Sequence, residues 1–279
     1  MTIEAYAKIN LTLEVLGTRP DGYHALRSVV IPTTLSDTIR LEKANGISSD
    51  FAGGDDLCVK AAKAILPEGV GVRIEIEKRI PSGGGLGGGS ADAAAVLVAL
   101  NEMYSLGKSV GELVEIAARV GSDVPSLVAS RTYGPVLMEG RGEKVSPLGV
   151  AIAKPFHFVL ANPGVHSSTK EVFAKCVSRV AEDEKILYNM RRALESGNAR
   201  LVTEVLSNDL EAPAMALHPE IVRTAELLRE TVSSRVAMTG SGATVFAVVE
   251  SREAAESAVR AISSKGVWAL DADMYCPVV

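Results

Sequence analysis

Residues 80–100 read IPSGGGLGGGSADAAAVLVAL. Six glycines fall between Gly83 and Gly89, interrupted only by Leu86, and an alanine-rich apolar run follows at once. Glycine lets consecutive backbone N–H groups turn toward one point with no Cβ in the way, and such a run forms an anion nest. A helix beginning near Ser90 adds its unpaired N–H groups and the positive end of its dipole. Together they make a phosphate cradle that needs no lysine. A flexible loop or a tight packing site has the same composition, so the flanking segments have to decide.

Two familiar cradles do not fit. A Walker A loop ends in Gly-Lys-Ser/Thr, and this one ends Gly88-Gly89-Ser90. The dinucleotide spacing G-x-G-x-x-G is present as Gly83, Gly85 and Gly88, with Glu102 at a suitable distance for a ribose contact. That fingerprint needs a tight turn straight off a strand, whereas Lys78–Ser82 intervene and the first seventy residues read as mixed β structure. An NAD site is therefore set aside.

Working outward, IEAYAKINLTLEVL alternates in two stretches, and SVVIPTTL and TIRLEK read as further strands. TRPDGYH is a turn-rich break, with Asp21-Gly22 as its signature. DDLCVKAAKAIL predicts a helix capped by Asp55 or Asp56, VGVRIEIEK a strand, and residues from about Ala91 to Tyr104 a helix. VGELVEIAARVG predicts another helix ending at Gly121, and RTYGPVLM with GEKVSPL a hairpin. Lys154-Pro155 marks a boundary, giving domains 1–153 and 154–279. Beyond it, FHFVLANPG, RVAMTGSGATVFAVVE and VWALDADMY supply strands, with helical patterns over 168–231 and SREAAESAVRAISSKG. Few strands with helices between them suggest a ferredoxin-like α+β layer.

The chain of 279 residues carries a net charge of -5, which argues against a sequence-independent nucleic-acid binder. No apolar run reaches membrane-spanning length, and MTIEAYAKIN lacks the layout of a secretory signal. Cys58, Cys176 and Cys276 lie far apart, and His24, His157, His166 and His218 show no ligand spacing, so neither a disulfide framework nor a protein-held metal is expected. The expectation is a cytoplasmic protein with reduced thiols, a monomer or weak homodimer, with a small-molecule partner and neither nucleic acid nor membrane.

Four segments taken together narrow the reading: AYAKINLTLEVLGTRPDGYHAL, PSGGGLGGGSADAA, GSDVP at 121–125 and TGSGATVFAV at 239–248. In that order and spacing the chain resembles the GHMP kinase superfamily, and most closely its 4-diphosphocytidyl-2-C-methyl-D-erythritol kinases. The resemblance spans nearly the whole chain, and the DGYH of the opening segment is its most specific part. It implies an α+β, two-domain fold: a ribosomal-protein-S5 domain-2-like N-terminal domain and a ferredoxin-like C-terminal domain, with the site between them. ATP, accompanied by Mg²⁺, would lie on Pro81, Ser82, Gly83, Gly84, Gly85, Leu86, Gly87, Gly88, Gly89 and Ser90.

The resemblance also assigns roles. Asp123 would accept the substrate hydroxyl proton, and Lys8 would pair with it and neutralise charge on the transferring phosphoryl group. Read without the family, Lys8 is a strand lysine whose ammonium reaches for water, and Asp123 is a helix N-cap before Val124-Pro125. Asn10, on the same strand face as Lys8, would orient the substrate. Tyr23 and His24 would recognise a cytosine ring, with Phe173 closing the sandwich; base–aromatic stacking is worth about 1–3 kcal/mol per base. Phe173 reads equally well as a buried helix residue. Gly240 and Ser241, in the second glycine turn, would touch phosphate or substrate. The chain departs from the family in two places: Ser126-Leu127 follow the DVP where aromatics are common, and Ser90-Ala91-Asp92 stands where Ser-Ser-Asn is common. The competing readings are another GHMP kinase acting on homoserine, mevalonate or a sugar, and a non-catalytic ATP-binding protein.

Overall fold

Two long strands organise the first half. β1 (Thr2–Thr18) and β2 (His24–Ala44) pair antiparallel along their length. The sequence divides each into two shorter strands. In the computed structural model, which describes residues 1–20, 22–50, 56–178, 184–232 and 234–277, each runs through as one. Register shifts at Tyr6/Lys8, Asn10/Thr12 and Val15/Gly17 explain this, because a bulge absorbs an irregularity and bends a strand without ending it. Lys8 lies opposite Pro32, which has no N–H to give the ladder. The ladder is broken there, and the Lys8 N–H donates instead to Leu86 O at 3.0 Å. β1 is thereby fastened to the glycine loop. Asp21 and Asp55, the turn and cap candidates, lie outside the described residues.

The sheet grows on both sides of this pair. β3 (Ile47–Ser49) and β4 (Gly71–Glu77) extend it beyond β2, and the hairpin of β5 (Val136–Gly140) and β6 (Lys144–Pro147) joins the Leu26–Val30 stretch of β2. Four helices cover it: α1 (Leu57–Ile65), α2 (Gly88–Met103), α3 (Val110–Ala117) and α4 (Val124–Tyr133). Asp56 caps α1 by accepting from the N–H groups of Cys58 and Val59. α2 is central and buried nearly all round, so its small residues, Ala91, Ala93, Ala94 and Ala95 among them, let α1, α4 and β1 approach closely. Three boundaries differ from expectation. α2 starts at Gly88, two residues before Ser90, and α3 stops at Ala117, short of Gly121. Residues 131–133 finish α4 and take no part in the hairpin. VPSLVASRTY mixes small and polar residues with no apolar stripe, so it carries no helical period to read.

The second half contains β7 (His157–Asn162), α5 (Thr169–Ala174), α6 (Lys185–Ser196), α7 (Ala199–Val205), β8 (Ser207–Asn208), α8 (Glu211–Leu217), α9 (Pro219–Thr231), β9 (Val236–Met238), β10 (Val245–Val249), α10 (Arg252–Ser263) and β11 (Trp268–Asp273). Its sheet is antiparallel in the order β11-β7-β10-β9, the strand order of a ferredoxin-like layer. Alternation divides its side chains. Phe158, Leu160, Phe246 and Val248 join the large core that also holds Ile9, Leu11 and Leu97. Val159, Ala161, Val245 and Ala247 pack with Ile221 and Leu228 of α9 and Ile262 of α10. The expected α+β architecture is thus present. β8 leaves its own half and pairs parallel with Thr12 and Leu13 of β1.

The two glycine turns meet backbone to backbone. The Thr244 N–H donates to Gly84 O at 3.1 Å. A Cβ built on Gly85, whose φ is +75°, would stand 2.2 Å from Thr239 O; one on Gly84 would stand 2.8 Å from both Asn162 Nδ2 and Thr244 Oγ1. These two glycines are therefore required by packing as well as by any ligand. Gly89, by contrast, has ordinary backbone and only Leu57 near, at 3.9 Å. Gly85→Ala is expected to lower stability measurably, since the left-handed backbone alone costs about 1–2 kcal/mol and the clash adds to it. Gly89→Ala should be neutral or stabilising by about 0.5–1 kcal/mol, as for an alanine in a helix. Thermal melts of the two variants check this, and equal melting temperatures would contradict it.

Candidate active site

The glycine loop, the start of α2, the β1–β2 turn, the segment before α5 and the second glycine turn enclose a cavity of about 1000 Å³. Every residue singled out from the sequence lines it except Leu86. The Leu86 side chain is fully buried in the core. Only its carbonyl serves the site, by holding Lys8 N–H. The glycines on either side turn toward the cavity because this one apolar residue anchors the loop inward.

Lys8 is almost fully buried, and its ammonium donates to Asn10 Oδ1 at 2.7 Å and lies 3.5 Å from Asp123 Oδ2. Asp123 occupies the N-cap position of α4, yet its side chain makes no capping hydrogen bond. The carboxylate turns from the helix toward Lys8 and remains about a third exposed, at 35%. A carboxylate that faces a cavity while leaving its own helix uncapped is free to take a proton from a bound hydroxyl.

Asn10 lines the cavity and is held on several sides. Its Oδ1 accepts from Lys8 Nζ, from Gly240 N–H at 3.0 Å and from Thr239 Oγ1 at 3.2 Å, while its Nδ2 donates to Ser28 Oγ at 2.8 Å. Both ends of the amide are engaged by protein, which fixes Asn10 against Lys8 on the cavity wall. The second glycine turn is tied down in the same way. Gly240 N–H is given to Asn10. Ser241 O accepts from Ser167 Oγ at 2.6 Å, and the Ser241 and Thr169 hydroxyls share a hydrogen bond of 2.9 Å.

At the other end of the cavity, Tyr23 is half exposed, with the Arg141 guanidinium 5.4 Å from its ring centroid. His24 and Phe173 stack on each other, centroids 5.1 Å apart and planes 20° apart. Phe173 thus meets His24 directly, and it also packs against the apolar layer of α9 and α10. His24 Nδ1 is buried with no hydrogen-bond partner among the described residues. An orphaned ring nitrogen on a cavity wall is a cost that a bound polar group removes.

Sequence reasoning missed the polar group at the opposite wall. Lys78 Nζ contacts Asp37 Oδ2 at 2.5 Å and Asp92 Oδ2 at 2.6 Å. Asp37 is fully buried and also accepts the backbone N–H groups of Arg79 and Ile80. Two carboxylates share one ammonium, and Asp92 Oδ1 has no hydrogen-bond partner among the described residues. Burial pushes the Asp92 carboxyl up to about 7, against the pull of Lys78. Burial opposes charge on Lys78 too, but its two carboxylate neighbours raise it above its ordinary value. The signal was Lys78 at the end of an alternating strand, and only the fold shows that it faces α2.

The comparisons with known proteins agree with this geometry. Residues 56–131 match the family model described as GHMP kinases N terminal domain, and residues 190–267 that described as GHMP kinases C terminal, which makes the chain a GHMP kinase. A 4-diphosphocytidyl-2-C-methyl-D-erythritol kinase of Symbiobacterium thermophilum is 41% identical over 91% of this chain and 92% of its own. One from Cereibacter sphaeroides is 39% identical over 97% of this chain and 98% of its own. A crystal structure of a 4-(cytidine 5'-diphospho)-2C-methyl-D-erythritol kinase superposes with a TM-score of 0.82 at 32% identity, covering 99% of this chain and 100% of the other. The chain belongs to the 4-diphosphocytidyl-2-C-methyl-D-erythritol kinase family. A homoserine kinase from Cytophaga hutchinsonii, at 18% identity and a TM-score of 0.73, shares the fold.

The Asp92 carboxyl carries a stability prediction. Its ordinary value is 3.8 and its folded value about 7, so between these the folded state holds a proton that the unfolded state has lost. Its contribution is therefore fully present below the lower value and fades as pH rises through the upper one. Asp92→Asn cannot titrate. The melting temperature of this variant relative to the native protein is expected to be higher at pH 8 than at pH 5. The same difference at both pH values would contradict it.

Proposed function

We propose that the protein transfers the γ-phosphoryl group of ATP to the 2-hydroxyl of 4-diphosphocytidyl-2-C-methyl-D-erythritol, a step of non-mevalonate isoprenoid precursor biosynthesis. The observation that carries this reading is the turn of Asp123 away from its helix onto buried Lys8, beside the bare N–H groups at the start of α2. Transfer of this kind asks for positioning, neutralisation of charge and a home for one proton. The alcohol oxygen forms a bond to phosphorus, the bond from phosphorus to the ADP oxygen breaks, and the hydroxyl proton passes to Asp123.

The protein's own groups supply these needs. Gly87, in left-handed backbone with φ 72°, caps α2 without a side chain, so the N–H groups of Gly88, Gly89 and Ser90 open on the cavity. They and the helix dipole favour the phosphates. Lys8 stands next to Asp123 to offset negative charge on the group in transit. A Mg²⁺ ion bound with the nucleotide would supply further charge neutralisation, and the Ser90 hydroxyl on the cavity wall would be the group to hold it. His24 Nδ1, orphaned on the wall, and the Tyr23 and Phe173 rings lining the same space fit a cytosine. The second glycine turn and the Ser241 hydroxyl close the cavity from the other half.

Release of ADP by the purified protein with Mg²⁺-ATP tests the substrate. In a panel of the cytidyl diphosphate compound, mevalonate, homoserine and galactose, only the first is expected to turn over. Turnover of another member would overturn the cytosine reading. Gly89→Ala tests the cradle separately. Its added methyl has room in the protein but projects where phosphate is to lie, so the variant should fold normally while KM for ATP rises about tenfold or more, roughly 1.4 kcal/mol of affinity. An unchanged KM for ATP would remove Gly89 from the cradle.

A further inference from the structure

We infer that Asn208 is a positioning residue for Lys8, acting from the second half of the chain through the glycine turn at Gly240. The inference rests on the kinase reading above and adds a residue that lines no part of the cavity.

The geometry is a short relay. Asn208 lies on β8, the two-residue strand that pairs with Thr12 and Leu13 of β1, a few residues along from Lys8. Its Nδ2 donates to two carbonyls at once, Met238 O and Gly240 O, both at 2.8 Å, and its Oδ1 accepts from Leu210 N–H at 2.9 Å. Two carbonyl partners on one side and an N–H on the other fix which end of the amide is which. Met238 O belongs to the peptide before Thr239 and Gly240 O to the peptide after Gly240, so one amide clamps the peptides on both sides of the Thr239–Gly240 link. Thr239 Oγ1 and Gly240 N–H then both point at Asn10 Oδ1. That oxygen is the one that receives Lys8 Nζ. A Cβ on Gly240 would stand 3.3 Å from Lys8 Nζ and 3.0 Å from Gly85 O, so a shift of this turn moves the ammonium and the phosphate loop together.

Without Asn208, the peptides on both sides of the Thr239–Gly240 link lose their shared donor, and among the described residues that link is held only by the Gly242 N–H on Thr239 O and by Asn10. Asn10 Oδ1 then loses a fixed donor, and Lys8 its fixed acceptor. The substrates would still bind, because the glycine N–H groups and the ring contacts remain. The cost falls on the chemical step, where a displacement of the order of 1 Å costs about a hundredfold.

Asp209 provides the control. Its N–H donates to Leu13 O, and its Oδ2 accepts from Val15 N–H, both at 2.9 Å. It fastens the same short strand to β1 without touching the glycine turn. The experiment compares Asn208→Ala, Asn208→Asp and Asp209→Ala for melting temperature, kcat and both KM values, and for hydrogen exchange of the peptide containing Gly240. For the Asn208 variants, kcat should fall about tenfold or more, a barrier increase of at least about 1.4 kcal/mol, with both KM values within about twofold. Exchange at Gly240 should quicken. Asp209→Ala should lose as much melting temperature while keeping kcat within about twofold. Equal kcat losses in both sets, or a loss that appears in KM alone, would overturn the relay. Should the native protein turn over none of the kinase substrates, the functional reading fails by itself. Exchange then decides the relay, and unchanged Gly240 protection in both Asn208 variants would sink it.

Discussion

A single amide oxygen holds the site together. Asn10 Oδ1 receives a buried ammonium, a backbone N–H from the opposite half and a threonine hydroxyl. Removing an ammonium from water costs several kcal/mol unless hydrogen bonds and an opposite charge replace it. Lys8 has both, in Asn10 and Asp123, and so has one place to be. The same oxygen also fixes where the second glycine turn lies, and that turn presses on Gly84 and Gly85 of the first glycine loop. Lys8 and the two glycine turns thus meet at one three-donor contact.

The broken ladder at Lys8 is the other half of this arrangement. Pro32 contributes no N–H opposite Lys8, and the lysine backbone turns to Leu86. Leu86 buries its side chain under α2, so the loop cannot drift outward. An irregularity in the sheet and one apolar residue in a glycine run therefore set the reach of the loop. The wall formed by Asp37, Lys78 and Asp92 follows a different rule. There, two carboxylates share one cation in a partly desolvated place, and burial leaves Asp92 protonated more readily than a surface aspartate.

How much of this was legible beforehand depends on the kind of signal. Alternation announced β4, short apolar runs announced β7 and β10, and the glycine runs announced both turns, because pattern and backbone permissiveness are local properties. The cluster of Lys8, Asp123, Tyr23, His24 and the glycine loop on one cavity was legible only through the family resemblance that these segments carry. The contacts of Asn10 across the two halves were not, since Thr239 and Gly240 lie more than two hundred residues away. Leu86 looked like part of the cradle because the sequence cannot say which way one residue in a loop points. Only the start of α4 was read, at Asp123, for want of an apolar stripe beyond it, and Lys78 was passed over because a charged residue at a strand end ordinarily faces water. β8 is only two residues long, and no periodicity exists at that length.

The claim on which the account turns is that Lys8 and Asp123 work as one unit. The direct test is a double-mutant cycle in single-turnover phosphoryl transfer, comparing Lys8→Met, Asp123→Asn and the variant carrying both. Residues that act together lose nearly everything at the first removal, so the double variant is expected to be slower than the worse single one by no more than about threefold. Losses that multiply, each substitution costing the same factor in the presence or absence of the other, would show two independent contributions and contradict the account.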